Sequence, residues 1–148
     1  MIDIHSHILP GLDDGAVSLE EALAMARCAV AEGIRQMVAT PHVTTGLYTN
    51  TREAILAAIV QFRRVLLEKE IPLTILPGAE YHLEPDLPRR LGQGELLTIN
   101  DTGRYLLVEL PTALVPEYTA TVFYELQLQG VTSVIEEALI ASPSRTEA

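Results

Sequence analysis

Lysine is nearly absent from this sequence: Lys69 stands alone, and the rest of its ten basic residues are arginine. Twenty acidic residues outnumber them, leaving a formal charge of -10 and a pI of about 4.7. That balance argues against binding nucleic acid or an anionic membrane through bulk electrostatics. Cysteine is equally scarce. The single Cys28 excludes an intrachain disulfide and fits a reducing cytoplasm, the expected location. No apolar run approaches the length of a membrane span, and Asp3 and His5 interrupt the apolar start that a signal peptide needs. There is also no glycine-rich phosphate loop, no Cys-x5-Arg signature and no local support for a Ser-His-Asp triad.

What is present suits one compact α/β domain. Of the 148 residues, 48% are hydrophobic, enough to exclude disorder. A chain of this size can bury roughly two-thirds of its unfolded surface. Short apolar runs alternate with amphipathic stretches. Strands are expected over 2–5, 35–40, 73–76, 105–109 and 131–135, about five in all. Ser18-Leu19-Glu20-Glu21 reads as a capping box. Leu19, Leu23, Ala26 and Val30 form the stripe behind it, Gly33 stops the helix, and Cys28 reads as core. Thr51 caps a second helix whose buried stripe is Ile55, Ile59, Phe62 and Leu66. A short helix over 84–91, an extended piece over 95–99 and a helix over 116–129 complete the pattern.

Ligand-type residues follow these strands. His5 and His7, His42, Glu80 and Glu109 each fall at or just beyond the C-terminal end of an expected strand, the edge where α/β active sites assemble. His-x-His on an extended segment sets both imidazoles on one side. A carboxylate directly after the apolar run of YLLVELP is costly to bury unless paired or bound to a cation. Three histidines with two carboxylates form a mixed nitrogen and oxygen set that suits manganese, iron or zinc better than calcium or magnesium. Bridging carboxylates suit two close ions. A salt bridge from Glu109 to Arg104, and a turn role for Glu80, are the structural alternatives. Asp13 and Asp14 are read either as turn residues or as outer partners of the histidines. His82 is a surface residue or another outer partner.

Taken in order, MIDIHSHILPGLDDGA, SLEEALAMARCAVAEGI, VATPH with GLYTN, LPGAEYHL and YLLVELP resemble the PHP (polymerase and histidinol phosphatase) superfamily. Within it they are most similar to the bacterial manganese-dependent protein-tyrosine phosphatases of capsular and exopolysaccharide operons. The resemblance runs from Met1 to about Ile135. It implies a distorted, TIM-like (βα)7 barrel with a multinuclear metal site at its rim. His5 and His7 would hold one ion, Glu80 would bridge two, and His42 and Glu109 would hold the second. The implied reaction is hydrolysis of phosphotyrosine by metal-activated water. The implied partner is the tyrosine-rich tail of a membrane kinase of polysaccharide export.

The resemblance also has a limit. The family continues with a strand ending in a His-Pro-Glu-Arg motif, whose His is a metal ligand and whose Arg helps bind phosphate. This sequence instead reads GVTSVIEEALIASPSRTEA. Residues 1–135 are therefore expected to be the N-terminal part of a PHP phosphatase domain, and 136–148 a divergent tail of a truncated member. Three further readings stay open. One is another phosphoesterase of the superfamily, such as a histidinol-phosphate phosphatase. The second is an amidohydrolase, disfavoured because Lys69 lies in a charged helix end. The third is an inactive metal-binding remnant.

Overall fold

Caps and stripes fix the helices. In the computed structural model, which describes residues 1–111 and 113–137, α1 spans Leu19–Ala31. The Ser18 hydroxyl accepts from the Glu21 N–H at 3.2 Å, satisfying one free donor of the first turn. Gly33, at φ +94°, ends the helix. Its N–H reaches the Val30 carbonyl while that of Ile34 reaches Ala29, each at 3.0 Å. The buried face is Ala22, Leu23, Ala26 and Ala29. Leu19 is exposed, as is Cys28, which was expected in the core. Cys28 is two residues past Ala26, about 160° around the helix from it and on the side away from the centre of the buried stripe.

Helix α2 spans Arg52–Glu68, capped by the Thr51 hydroxyl. Its buried residues are Ile55, Ile59, Phe62 and Leu66, the expected stripe. Each such side chain contributes on the order of 1.5–3 kcal/mol when fully buried. Helix α3 is the short Leu87–Gly92, and α4 spans Thr119–Leu128. The expected extended piece over 95–99 is instead a loop leading into a 3-10 turn at Ile99–Asp101. Leu96 and Leu97 anchor it in the core, where the Leu97 N–H donates to the Tyr81 hydroxyl at 2.7 Å.

Among the described residues there are seven strand segments: β1 (Ile2–Asp3), β2 (Gln36–Ala39), β3 (His42–Val43), β4 (Thr74–Pro77), β5 (Glu80–His82), β6 (Tyr105–Leu110) and β7 (Thr132–Glu137). They form two sheets, ordered β1-β2-β4 and β3-β5-β6-β7, with every pairing parallel. The expectation of about five strands missed β3 and β5. Both are continuations across a bend: Ala39 pairs with Pro77 and His42 with Glu80 at the same sequence offset. The Glu80 N–H also donates to the Pro41 carbonyl at 2.9 Å. β2 and β3 thus act as one bent strand beside a second, β4 and β5. β7 runs to Glu137, past the boundary expected at 135. The rest of the expected tail lies outside the described residues.

Candidate metal centre

The bends carry ligand-type residues to one place. After β1 the chain stays pinned to β2 through Ser6. The Ser6 N–H donates to Thr40 Oγ1 at 3.0 Å, its hydroxyl donates to the Val38 carbonyl at 2.8 Å, and Thr40 N–H returns to the Ser6 carbonyl at 2.8 Å. With Ser6 held, His5 and His7 project together, and their Nε2 atoms lie 3.1 Å apart. His42 opens β3 and Glu80 opens β5. Glu109 lies near the end of β6, paired in register with His82.

Glu80 is the centre of the group, only 2% exposed. Its Oε1 lies 2.5 Å from His5 Nε2 and 3.6 Å from His7 Nε2. Its Oε2 lies 2.6 Å from His42 Nδ1, which is itself 3.1 Å from Glu109 Oε2. One carboxylate therefore joins two clusters, His5–His7–Glu80 and His42–Glu80–Glu109. Glu109 engages His42, not Arg104. Glu80 is a buried strand residue, not a turn cap.

An outer ring of carboxylates faces the far nitrogens of the imidazoles. Asp13 Oδ2 is 2.7 Å from His7 Nδ1 and accepts the His42 N–H at 2.9 Å. Its other oxygen accepts the Gly15 N–H at 2.9 Å. The turn role and the partner role of Asp13 thus coincide. Gly15 is required here, since a Cβ on it would lie 2.2 Å from the His7 carbonyl oxygen. Asp14 is 65% exposed, with Oδ1 3.4 Å from His42 Nε2. Glu136 of β7 lies 3.5 Å from His5 Nδ1. The His82 side chain joins none of these clusters, although its backbone pairs with Glu109 in the sheet.

Three neighbours were not foreseen in these roles. The Tyr48 ring stacks on His42 at 5.6 Å, and His7 stacks on the same imidazole at 4.5 Å. The Asn50 amide donates to the carbonyls of Leu12 and His42, tying the two loops together. Glu136 stands just inside the end of a strand, where the rule that picked out Glu109 also applies.

The electrostatics follow from this crowding. Hydrogen bonding to Glu80 raises the pKa of His5 and of His42, against the opposing effect of burial. Burial also opposes charge on His7, but Asp13 and Glu80 outweigh it and push its pKa up to about 10. Burial opposes charge on Glu80 too, yet its three imidazole partners hold it well below the usual carboxylate range. Asp13 is lowered because its bonds to His7, His42 and Gly15 outweigh burial. The Glu80 contact, with burial, lifts Glu109 to about 7. Four side chains, those of His5, His7, His42 and Glu109, converge around the buried Glu80 carboxylate, with imidazole nitrogens close to one another. Such a donor set fits a divalent cation, which would replace the shared protons.

The family model for capsular polysaccharide synthesis, CpsB/CapC, matches residues 1–138. Tyrosine-protein phosphatase YwqE of Bacillus subtilis is 44% identical over 135 residues, covering 91% of this chain and 53% of that protein. The putative tyrosine-protein phosphatase CapC of Staphylococcus aureus is 34% identical over 148 residues, covering 100% of this chain and 56% of its own. A solved structure from work on YwqE and on CpsB from Streptococcus pneumoniae, described as unique metal-dependent tyrosine phosphatases, aligns with a TM-score of 0.87 and 44% identity. That alignment covers 91% of this chain and 54% of the other. The chain spans about half the length of the curated relatives it matches.

Proposed function

Because the chain belongs to the CpsB/CapC family of capsular polysaccharide synthesis, we propose that it takes part in metal-dependent hydrolysis of phosphotyrosine on a protein. The observation that carries this reading is the division of Glu80. One oxygen faces His5 and His7, and the other faces His42, which also meets Glu109. His5 and His7 are assigned to one ion, His42 and Glu109 to a second, and Glu80 to both. Manganese is the metal proposed, with iron and zinc as alternatives. Divalent ions held there supply Lewis acidity, which lowers the pKa of water and offsets the charge of a phosphate. The chain's part is to hold these donors in place, with Asp13 orienting His7 and Ser6 fixing the spacing of the two histidines.

The five strand paths lie side by side in chain order, the arrangement of successive βα units in a barrel. We assign residues 1–135 to the N-terminal part of a PHP-type distorted (βα)7 barrel. The proposed partner is a phosphotyrosine protein, such as the tail of a membrane kinase of polysaccharide export. Among the described residues no helix is long and apolar enough to cross a membrane. The proposed setting is the cytoplasm.

A second reading, metal binding without turnover, is favoured by one observation. No described ion pair brings an arginine to the cluster: Arg52 is engaged by Asp101 and Arg90 by Glu84. Phosphate charge would then be met by metal alone. Metal analysis combined with manganese-dependent hydrolysis of a phosphotyrosine peptide decides between the readings. Stoichiometric metal and turnover, both lost in His42→Ala, are expected. Metal without turnover supports the second reading, and neither overturns both. Activity unchanged in His42→Ala overturns the site assignment.

A further inference from the structure

We propose that Glu136 is a positioning residue for His5, accepting its Nδ1–H and so directing its Nε2 lone pair toward the point shared with His7 and Glu80. The proposal rests on the reading of His5 as a metal ligand and names a residue that reading did not include.

The backbone delivers Glu136 to the site. β7 pairs with β6 in parallel, and Glu136 lies opposite Glu109 in that register. Its carboxylate therefore reaches the rim where Glu109 and Glu80 arrive. Oε2 lies 3.5 Å from His5 Nδ1, while the other ring nitrogen points inward, 2.5 Å from Glu80 Oε1. A neutral imidazole donates from one nitrogen and offers a lone pair from the other. A carboxylate at Nδ1 fixes which is which and raises the basicity of the inward nitrogen.

His7 presents the same arrangement, with Asp13 on Nδ1 and Nε2 turned inward. Glu136 does for His5 what Asp13 does for His7, at the opposite edge of the cluster. The two differ in packing. The Asp13 side chain is 1% exposed and lies at 2.7 Å, whereas Glu136 is 36% exposed and lies at 3.5 Å. At 3.5 Å the contact is an ion pair and not yet a hydrogen bond, so the proposed role requires the half-exposed Glu136 side chain to close on Nδ1. His5 is the only ion-pair partner of Glu136 among the described residues, and no arginine among them pairs with the carboxylate.

The test uses the full chain and two variants, Glu136→Ala and Glu136→Gln. In metal-free protein, proton NMR should show a downfield, exchange-protected His5 Nδ1–H. It should be lost in Glu136→Ala and retained in Glu136→Gln, whose amide oxygen still accepts. Binding of Mn2+, followed by the EPR signal of the free ion, should weaken about 10- to 100-fold in Glu136→Ala and less in Glu136→Gln. A protected proton that persists in Glu136→Ala overturns the proposal. So does unchanged Mn2+ affinity, or a glutamine variant as weak as the alanine one, which would mark Glu136 as a charge or ligand instead. A wild-type chain that shows the protected proton but binds no Mn2+ supports the contact and counts against the proposed function.

Discussion

Glu80 and His42 face each other in the parallel β3–β5 register, and the carboxylate meets His42 Nδ1 at 2.6 Å. Backbone pairing thus sets the distance between two residues thirty-eight positions apart, and the remaining donors gather around them. Glu80→Gln should lower Mn2+ affinity by more than about 100-fold, beyond the loss typical of an outer partner. It should also destabilise the metal-free protein by about 1–3 kcal/mol, because one of the two accepting oxygens becomes an NH2 donor and the buried charge facing the imidazoles is lost. Mn2+ titration and urea unfolding in chelator check the two effects separately. Wild-type affinity in the variant would remove Glu80 from the site.

The metal-free protein should lose stability on the alkaline side. His7 has its pKa raised from 6.5 to about 10, with Asp13 and Glu80 overcoming burial. Its contribution is therefore full below 6.5 and lost as pH rises through about 10. Asp13 and Glu80 are lowered, so theirs is present above the ordinary carboxylate range and lost in acid. Urea midpoints in chelator should fall between pH 6.5 and 10. Metal binding should show the reverse trend, since an ion takes unprotonated imidazoles: affinity rises over the same interval and protons are released. Calorimetry in two buffers of different ionisation enthalpy measures that release, and none at pH 7 would contradict the assignment of His7 as ligand.

Asp13 and Asp14 are neighbours with unequal roles. Asp13 accepts from His7, from the His42 backbone and from Gly15 at once, with a side chain 1% exposed. Asp14 is 65% exposed and makes one contact, at 3.4 Å. Asp13→Asn should weaken Mn2+ binding about 10- to 100-fold and cost about 1–3 kcal/mol of stability. Asp14→Asn should change stability by no more than about 0.5 kcal/mol. Equal effects from the two substitutions would mean that net charge, not the orientation of His7, governs the site.

Much of this site was legible because ligand-type residues after apolar runs mark one rim. The α2 stripe and the Ser18 cap were legible for the same kind of reason, each being a local pattern with a fixed period. What escaped depends on pairing between distant segments. β3 and β5 are two and three residues long, too short for any period to register. Their pairing exists only because β2 and β4 bend together. Glu136 follows the rim rule, but ending the strand at Ile135 hides it. Cys28 was misread because alanine neighbours suggest burial, while the face of α1 is decided by Leu23 and the residues spaced around it.

The bend before Glu80 can be tested apart from its ligands. Gly78 lies between β4 and β5, two residues before Glu80, and a Cβ there would sit 2.7 Å from Val38 Cγ1 and 3.2 Å from both the Ala39 carbonyl oxygen and Thr40 Cγ2. Val38 is 1% exposed, and its Cγ1 must shift within the core to admit the methyl group. Gly78→Ala should cost about 1–3 kcal/mol by overpacking and, by pushing the two bent strands apart, should also weaken Mn2+ binding. Gly33→Ala is the control. That glycine sits at φ +94° with nothing within 4 Å of a Cβ, far from the rim. It should cost about 1–2 kcal/mol through backbone strain alone and leave Mn2+ affinity as it is. If both variants lose stability and neither loses affinity, Glu80 is held by its histidines and not by the bend. If only Gly78→Ala loses affinity, the strand bend sets the position of the central carboxylate before any ion arrives.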